Sequence, residues 1–453
     1  MDLVKLRAET VGSQARAHFN NAGSALPPTA VVQAQHAYLD LEAKLGGYEA
    51  VEQQQMALER PYAALAQMLS CEPDEIAIVT SATTAWQQVF FGLPFQRGDR
   101  ILTSRAEYGS NYLAYIQAMK RHHVEVSAIP EDDLGDIDVG ALESLIKERP
   151  QKPVLIAVTH VPTSSGRVYS AEAVGRVAQR EGITYLLDAC QSIGQMPLDV
   201  RALGCDYLTG TGRKYLRGPR GSGFLYASRK AMAKHEPAAL DIHGATWTGE
   251  QDYKLDPTAK RYEVYEMSMA AKVGLGVAVE YALNLGMPHI WDRVCSLATL
   301  MRQKLEELPG LELHDKGRQL CGIISFSLKS HSPAEVKAAL ASKGINISVS
   351  AAPSTLLDFR TLLPTPALAA SSRATWPPAH GSTRVQSFSR LETSAAPACS
   401  WTVASRLSME RATASSRAVP ASGKQSSAWT AQRCPLKDTC QTVFTKKPAN
   451  IRG

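Results

Sequence analysis

Short apolar runs alternate with helical patterns between about residues 15 and 355. Each run is almost continuously apolar, which is typical of a strand that is covered on both faces. Helical patterns such as residues 113–121, 142–148 and 171–180 lie between the runs. This alternation predicts an α/β fold with a mostly parallel sheet and helices on both faces. The predicted strands are residues 76–79, 100–102, 124–126, 154–158, 185–187 and 223–226.

The pattern changes near residue 270. A long helical stretch over residues 267–285 ends at Gly286, and a second helix is predicted over residues 294–306. A strand over 322–328, a helix over 333–342 and a strand over 345–349 follow. We therefore predict an N-terminal arm (1–30), a large domain (31–268), a smaller and incomplete C-terminal α+β domain (269–360) and a tail (361–453).

The tail differs from the rest of the chain in composition. It is rich in Ser, Ala, Thr, Pro and Arg, and it has no sustained helical or strand period. Such sequence predicts disorder, but three of the six tryptophans fall in it. We favour translation of a shifted reading frame or a retained intron, with a natural flexible tail as the alternative.

Composition narrows the class of protein. The net charge of +6 comes from the tail, which contains 12 Lys and Arg but 3 Asp and Glu. We therefore expect no nucleic-acid binding by the folded part. No apolar run reaches membrane-spanning length, and no signal peptide is apparent, so we expect no membrane association and a cytoplasmic location. The eight cysteines have no zinc-site spacing, which predicts no metal.

Two segments carry candidate chemistry. Asp188 ends a predicted strand, and Lys214 follows among five glycines. Pyridoxal 5'-phosphate (PLP) needs a lysine that forms an imine with its aldehyde, and a carboxylate that keeps its ring nitrogen protonated. Asp188 as a helix N-cap and Lys214 as a surface lysine are the alternatives.

Around these residues the chain resembles the class V aminotransferase family of fold-type I PLP enzymes, over about residues 19–349. The motifs are Asp188-x-x-Gln191, the Lys214 segment, Ala82-Thr83-Thr84 after a strand, and Glu107-Tyr108. The resemblance implies a sheet of the seven-stranded type. Tyr108 and Thr163 fit the isopenicillin N epimerase-like and lyase-like branch better than the cysteine desulfurases.

The resemblance also implies site roles. Lys214 and Asp188 are the catalytic residues, Gln191 contacts the phenolic oxygen, and Tyr108 stacks on the ring. Thr163 stands at a position that contacts either the phenolic oxygen or the substrate. The residues implied to bind phosphate are Ala82, Thr83, Thr84 and Thr211. His160 is either a supporting group or an ordinary core histidine. A homodimer is expected by analogy, because the loop at Gly244–Trp247 resembles one that reaches the neighbouring subunit.

The functional prediction is a PLP-dependent enzyme acting on an amino acid by transamination, epimerisation or C–S lysis. Cysteine desulfurase is less favoured, because residues 349–355 lack the cysteine that those enzymes carry on a mobile loop. The family's substrate-carboxylate arginine falls beyond the point where the chain turns irregular, so no residue is assigned to it. A catalytically impaired PLP-fold protein with a scaffold or dimer-partner role is the alternative.

Overall fold

The computed structural model describes residues 2–350 and the backbone of residues 399–402, all within one compact unit, Met1–Leu407. The helices are α1 (Leu3–Ala8), α2 (Gly12–Ala15), α3 (Thr29–Leu45), α4 (Gly47–Gln53), α5 (Gln55–Leu69), α6 (Ala82–Phe90), α7 (Gly109–His122), α8 (Val139–Lys147), α9 (Ala171–Glu181), α10 (Val200–Leu203), α11 (Arg229–Met232), α12 (Met269–Leu285), α13 (Met287–Glu306) and α14 (Pro333–Ser342). No helix within the described ranges is long and apolar enough to cross a membrane.

The strands are β1 (Ala17–His18), β2 (Ile76–Val79), β3 (Arg100–Thr103), β4 (Glu125–Ala128), β5 (Leu155–Thr159), β6 (Arg167–Val168), β7 (Thr184–Asp188), β8 (Tyr207–Thr211), β9 (Gly223–Ala227), β10 (Ala245–Gly249), β11 (Asp252–Leu255), β12 (Leu311–Leu313), β13 (Gln319–Leu320), β14 (Ile323–Leu328), β15 (Ile345–Asn346), β16 (Ser348–Val349) and β17 (Cys399–Thr402).

A seven-stranded sheet in the order β2-β9-β8-β7-β5-β3-β4 forms the centre of the molecule. Only β9 runs antiparallel to its neighbours in this sheet. The other pairs, such as β5 with β7 and β7 with β8, are parallel. The predicted α/β fold with a mostly parallel sheet is confirmed. Strand β8 was missed, because Tyr207–Thr211 carries two threonines and a glycine and lacks a continuous apolar run.

Both faces of this sheet are buried. Along β7, Tyr185 and Leu187 belong to one apolar cluster, and Leu186 belongs to the cluster on the opposite face. Side chains alternate between the faces of a strand. A strand buried on both sides must therefore be apolar at successive positions, which explains the continuous runs in the sequence.

A second, four-stranded sheet in the order β12-β14-β17-β16 packs against α13 and α14. The tail strand β17 pairs antiparallel with β14 and β16. The prediction of a disordered tail is therefore wrong for these four residues. Backbone pairing to the edge of β14 needs no side-chain periodicity, which is why the sequence pattern did not reveal it. The rest of the tail lies outside the described residues, and the domain boundaries stay predictions.

Helix α13 begins at Met287, seven residues before its predicted start. The missed part contains Pro288, which is tolerated because the first turn of a helix needs no backbone N–H donor. Gly286 separates α12 from α13 with a φ of 82°, a conformation that suits glycine. The predicted strand over 345–349 is split into β15, which pairs with β1, and β16.

Candidate active site

The carboxyl ends of several strands open into a cavity of about 250 Å³. Ligands in open α/β sheets bind beyond these ends, so the position is the expected one. The cavity is lined by eight of the nine residues that the sequence singled out, namely Ala82, Thr83, Tyr108, Thr163, Asp188, Gln191, Thr211 and Lys214. These residues come from five segments that lie far apart in the chain, and the sheet brings them together.

Lys214 is a buried amine at the centre of this cavity. It follows β8, and its side chain is 6% exposed. Burial lowers the pKa of Lys214, although the negative charge of Asp188 opposes this shift. The Nζ atom lies 5.9 Å from the ring centroid of Tyr108. A lysine with a lowered pKa has a larger fraction of neutral amine, the form that attacks an aldehyde.

Asp188 lies at the end of β7, and its two carboxylate oxygens have separate partners. Oδ1 accepts a hydrogen bond from the backbone N of Cys190 at 2.9 Å, and Oδ2 accepts one from Asn111 Nδ2 at 3.0 Å. Two donors hold the carboxylate in one orientation. The aspartate therefore lines the cavity in a fixed orientation.

Gln191 lines the cavity as a buried side chain with one polar atom unsatisfied. Its Nε2 donates to the carbonyl oxygen of Ala22 at 3.1 Å and to Thr163 Oγ1 at 3.4 Å. Its Oε1 has no hydrogen-bond partner among the described residues. A buried polar atom without a partner is costly, which indicates that a ligand or water supplies one.

The other end of the cavity is formed by the N-terminus of α6. Ser81 caps this helix by accepting a hydrogen bond from the N of Thr84 at 3.1 Å. Thr84 is the ninth predicted residue and does not line the cavity, since its hydroxyl contacts Ser81 and Thr80. Backbone N–H groups at a helix N-terminus attract anions.

Two arginines that were not assigned from the sequence line the cavity as well. They are Arg213, which precedes Lys214, and the exposed Arg220. Arg213 Nη1 also donates to the carbonyl oxygen of Gly23. This bond joins the N-terminal arm to the loop between β8 and β9, residues 212–222, which carries Lys214 and is called the lysine loop below. Their positions next to the predicted phosphate-binding residues add positive charge. The glycine-rich setting drew attention to Lys214 alone, although both arginines stand in the same motif.

Glu107 is a second buried carboxyl that the sequence analysis quoted but did not assign. It accepts hydrogen bonds from Thr103 Oγ1 at 3.0 Å, Asn111 Nδ2 at 3.1 Å and the hydroxyl of Thr159. Asn111 therefore bridges Glu107 and Asp188. Burial is the largest cause that raises the pKa of Glu107, to about 7. The sequence signal that could have identified Glu107 was its spacing from Asn111, four positions or about one helical turn.

His160 does not line the cavity. Its Nδ1 lies 3.0 Å from Ser192 Oγ, and burial lowers its pKa to about 4. This favours the alternative of a satisfied core histidine. Among the described cysteines only Cys190 lines the cavity, and burial raises the pKa of its thiol. Residues 351–355 of the segment expected to hold a desulfurase cysteine lie outside the described residues.

Comparison with known families settles the relationship. The aminotransferase class-V family matches residues 17–360. The chain belongs to this family. The family prediction drawn from Asp188, Gln191 and Lys214 is therefore confirmed, and with it the prediction of an enzyme of the class V type.

Two of the following three relatives of this class V chain are named cysteine desulfurase, and the third is named cystine C-S lyase. A probable cysteine desulfurase from Methanothermobacter thermautotrophicus is 29% identical over 320 residues, covering 70% of this chain and 79% of that protein. The apo cysteine desulfurase from Thermococcus onnurineus NA1 has a TM-score of 0.71 at 24% identity, covering 80% and 91% of the two chains. The cystine C-S lyase C-DES, solved with cysteine persulfide, has a TM-score of 0.69 at 22% identity, covering 76% and 92%.

These similarities bear on the fold and on the choice between branches. At identities below 25% the two structures show a shared fold. The relatives named cysteine desulfurase belong to the branch that the sequence analysis disfavoured. The chain is similar to the class V family as a whole. The choice among the reactions of this family must therefore come from the residues that line the cavity.

The donor set of the class V cavity fits PLP. One cavity is lined by the amine of Lys214, the carboxylate of Asp188 and the N-terminus of α6. The unsatisfied Oε1 of Gln191 marks a polar position inside it. These groups match the aldehyde, the ring nitrogen and the phosphate of the cofactor.

The titration of Glu107 generates a testable prediction. Its folded pKa of about 7 exceeds the ordinary 4.5. The stability that its proton contributes is therefore full below about pH 4.5 and is lost as the pH rises through 7. Glu107→Gln stays neutral, so urea unfolding from pH 4.5 to 8 should show the wild type losing about 3 kcal/mol relative to the variant. The exposed Glu266→Gln should give a flat difference. Parallel curves for wild type and Glu107→Gln would contradict this assignment.

Proposed function

We propose that this chain is a PLP-dependent enzyme that cleaves a C–S bond of a sulfur-containing amino acid. The observation that carries the proposal is the cavity shared by buried Lys214 and Asp188, with the N-terminus of α6 at its other end. When bound there, PLP supplies an electron-accepting ring that lowers the barrier to removing a proton from the amino-acid Cα. Everything else required of the site comes from the side chains around it.

Lys214 is the residue that would hold the cofactor aldehyde covalently and would move the substrate proton. Burial lowers the pKa of its amine, which favours the neutral form that accepts a proton from Cα. Tyr108 lies 5.9 Å from the amine and offers its ring as a wall of the cavity. Gln191 and Thr163, which are hydrogen-bonded to each other, would contact the phenolic oxygen.

Asp188 keeps a proton on the ring nitrogen. Its orientation is supported by the bonds from Asn111 and the backbone of Cys190. Ala82, Thr83 and Thr211 would bind the phosphate, with positive charge from Arg213 and Arg220. For Thr84 the proposal is weaker, because its hydroxyl is already engaged by Ser81.

Two observations favour C–S lysis among the reactions of the family. The relatives are named after cysteine and cystine chemistry. A desulfurase needs a reactive thiolate to take the sulfur. Among the described residues Cys190 is the cysteine that lines the cavity, and burial and the nearby Asp188 raise the pKa of its thiol. Elimination of the sulfur leaving group needs no protein thiol. Desulfuration is the second candidate, and an impaired protein that binds PLP without turnover is the third.

A homodimer is part of the proposal. The hairpin β10–β11 carries Trp247 and Tyr253 as a cross-strand pair, and these side chains are 81% and 50% exposed. Ile242 and Tyr48 are also largely exposed. Exposed aromatic side chains paired on one hairpin are typical of an interaction surface. A second copy of the chain is the partner that the family relationship suggests.

The covalent role of Lys214 can be tested directly. Lys214→Ala should lose the borohydride-reducible PLP absorbance band, because no other lysine lines the described cavity. Mass spectrometry of the reduced wild type should find the pyridoxyl mass on the peptide that contains Lys214. The exposed Lys230→Ala serves as the control and should keep both signals. An unchanged band in Lys214→Ala would refute the assignment.

The reaction class can be read from the carbon product. C–S lysis of L-cystine yields pyruvate, ammonia and cysteine persulfide, whereas desulfuration of L-cysteine yields alanine. We expect pyruvate from the PLP-loaded full chain, retained in Cys190→Ala and in the control Cys295→Ala. Alanine that disappears in Cys190→Ala would favour the desulfurase instead. PLP binding without either product would favour the impaired protein.

The dimer can be tested by sedimentation velocity. Trp247→Asp places a charge in the proposed interface and should convert the dimer to a monomer, since burying an unpaired charge is costly. Leu308→Asp, at a 49% exposed position after α13, should stay dimeric. A monomeric wild type, or a Trp247→Asp variant that stays dimeric, would contradict the proposed interface.

A further inference from the structure

A second cavity, of about 130 Å³, lies on the other side of the lysine loop. It shares no lining residue with the cofactor cavity. Helix α1, the end of α12, the start of α13 and the segment after Lys214 enclose it. Apolar side chains such as Leu6, Leu26 and Leu216 form much of its wall.

The charged side chains that line this cavity have one sign. They are Arg7, Arg16, Arg217 and Arg293, and no aspartate or glutamate lines the cavity among the described residues. Guanidinium groups remain charged at any physiological pH. Burial lowers the pKa of His18, the remaining titratable lining group apart from Tyr215 and Tyr281. The cavity is therefore a positively charged space with apolar walls.

Arg293 has unused hydrogen-bonding capacity in this cavity. Its Nε is shielded from solvent and has no hydrogen-bond partner among the described residues. Among the described residues no carboxylate forms an ion pair with Arg293, whereas Arg302 on the same helix is paired with Asp315 at 2.9 Å. A shielded donor that lacks an acceptor is destabilising. An anionic oxygen in the cavity would satisfy it.

The wall beside the lysine loop is held in place before any ligand arrives. Arg217 has a φ of 62°, which is unfavourable for a residue with a side chain. Its Nε donates to the carbonyl oxygen of Leu26 at 3.0 Å, and its Nη2 donates to Thr10 Oγ1 at 2.7 Å. The nearby Glu9 accepts a hydrogen bond from Tyr281 at 2.8 Å. These bonds join the N-terminal arm to the loop and keep the space open.

We propose that this cavity binds a small organic anion, with a carboxylate or phosphate group on an apolar body about the size of a benzene ring. An engineered cavity of about 150 Å³ accepts benzene, so the volume suits such a body. Arg293 would bind the anionic group with Arg7 and Arg16 beside it, and the leucines would contact the apolar body. The proposal does not depend on the reaction at Lys214, because the two cavities are separate.

Calorimetric titration of the PLP-saturated full-length chain with benzoate and with phenyl phosphate tests the proposal. PLP saturation keeps the cofactor cavity from competing for these anions. At least one of the two probes should bind saturably, and which one binds identifies the anionic group. Binding should weaken about tenfold or more in Arg293→Met, because a charge-assisted hydrogen bond is lost. Benzamide is a neutral isostere of benzoate. Its affinity for the wild type should be no higher than the affinity of benzoate for Arg293→Met. Arg176→Met, on an exposed arginine of α9 outside the cavity, should bind as the wild type does.

Stability of the ligand-free protein gives an independent check. Arg293→Met removes a shielded donor without an acceptor, so its unfolding midpoint in urea should equal or exceed that of the wild type. A clear loss of stability would mean that the guanidinium already has an internal partner, and it would overturn the proposal. Failure of both anions to bind, or equal binding by wild type and Arg293→Met, would overturn it as well. Neither result would affect the assignment of Lys214.

Discussion

The bridge that Asn111 makes between Glu107 and Asp188 is the interaction on which the site depends most. One amide contacts both carboxyl groups, at 3.1 and 3.0 Å. Burial is the main cause of the raised pKa of Glu107, and the nearby negative charge of Asp188 adds to it. Asn111 thereby fixes the positions of both carboxyl groups relative to each other. The chemistry proposed for Asp188 thus rests on side chains that never reach the cavity.

The parallel sheet supplies the geometry around that pair. Parallel strands end at the same edge, so Thr103, Thr159, Asp188 and Thr211 finish side by side although about a hundred residues separate the first from the last. The loops after these strands carry the groups that face the cavity. This common edge explains how one fold places an amine, a carboxylate and an anion-binding helix end around a space of about 250 Å³.

The N-terminal arm connects this site with the second cavity. Gln191 and Arg213 contact the backbone of Ala22 and Gly23 on one side. Arg217 contacts Leu26 and Thr10 on the other. The arm and the lysine loop are therefore held together by polar contacts. Both segments line the second cavity, and the lysine loop also lines the cofactor cavity.

The sequence alone determined the fold class, most strands of the central sheet and eight of the lining residues. Continuous apolar runs have one physical cause, burial on both faces, and a lysine among glycines near Asp188-x-x-Gln191 is a specific combination. Tertiary structure decided what depends on distant contacts. Strand β17 joins β14 by backbone pairing, and Glu107 acquires its role only beside Asn111. Arg293 lines the same cavity as Arg7 and Arg16 although they lie far apart in the chain. No local pattern encodes which segments become neighbours in space, so these features could be recognised only once the chain was folded.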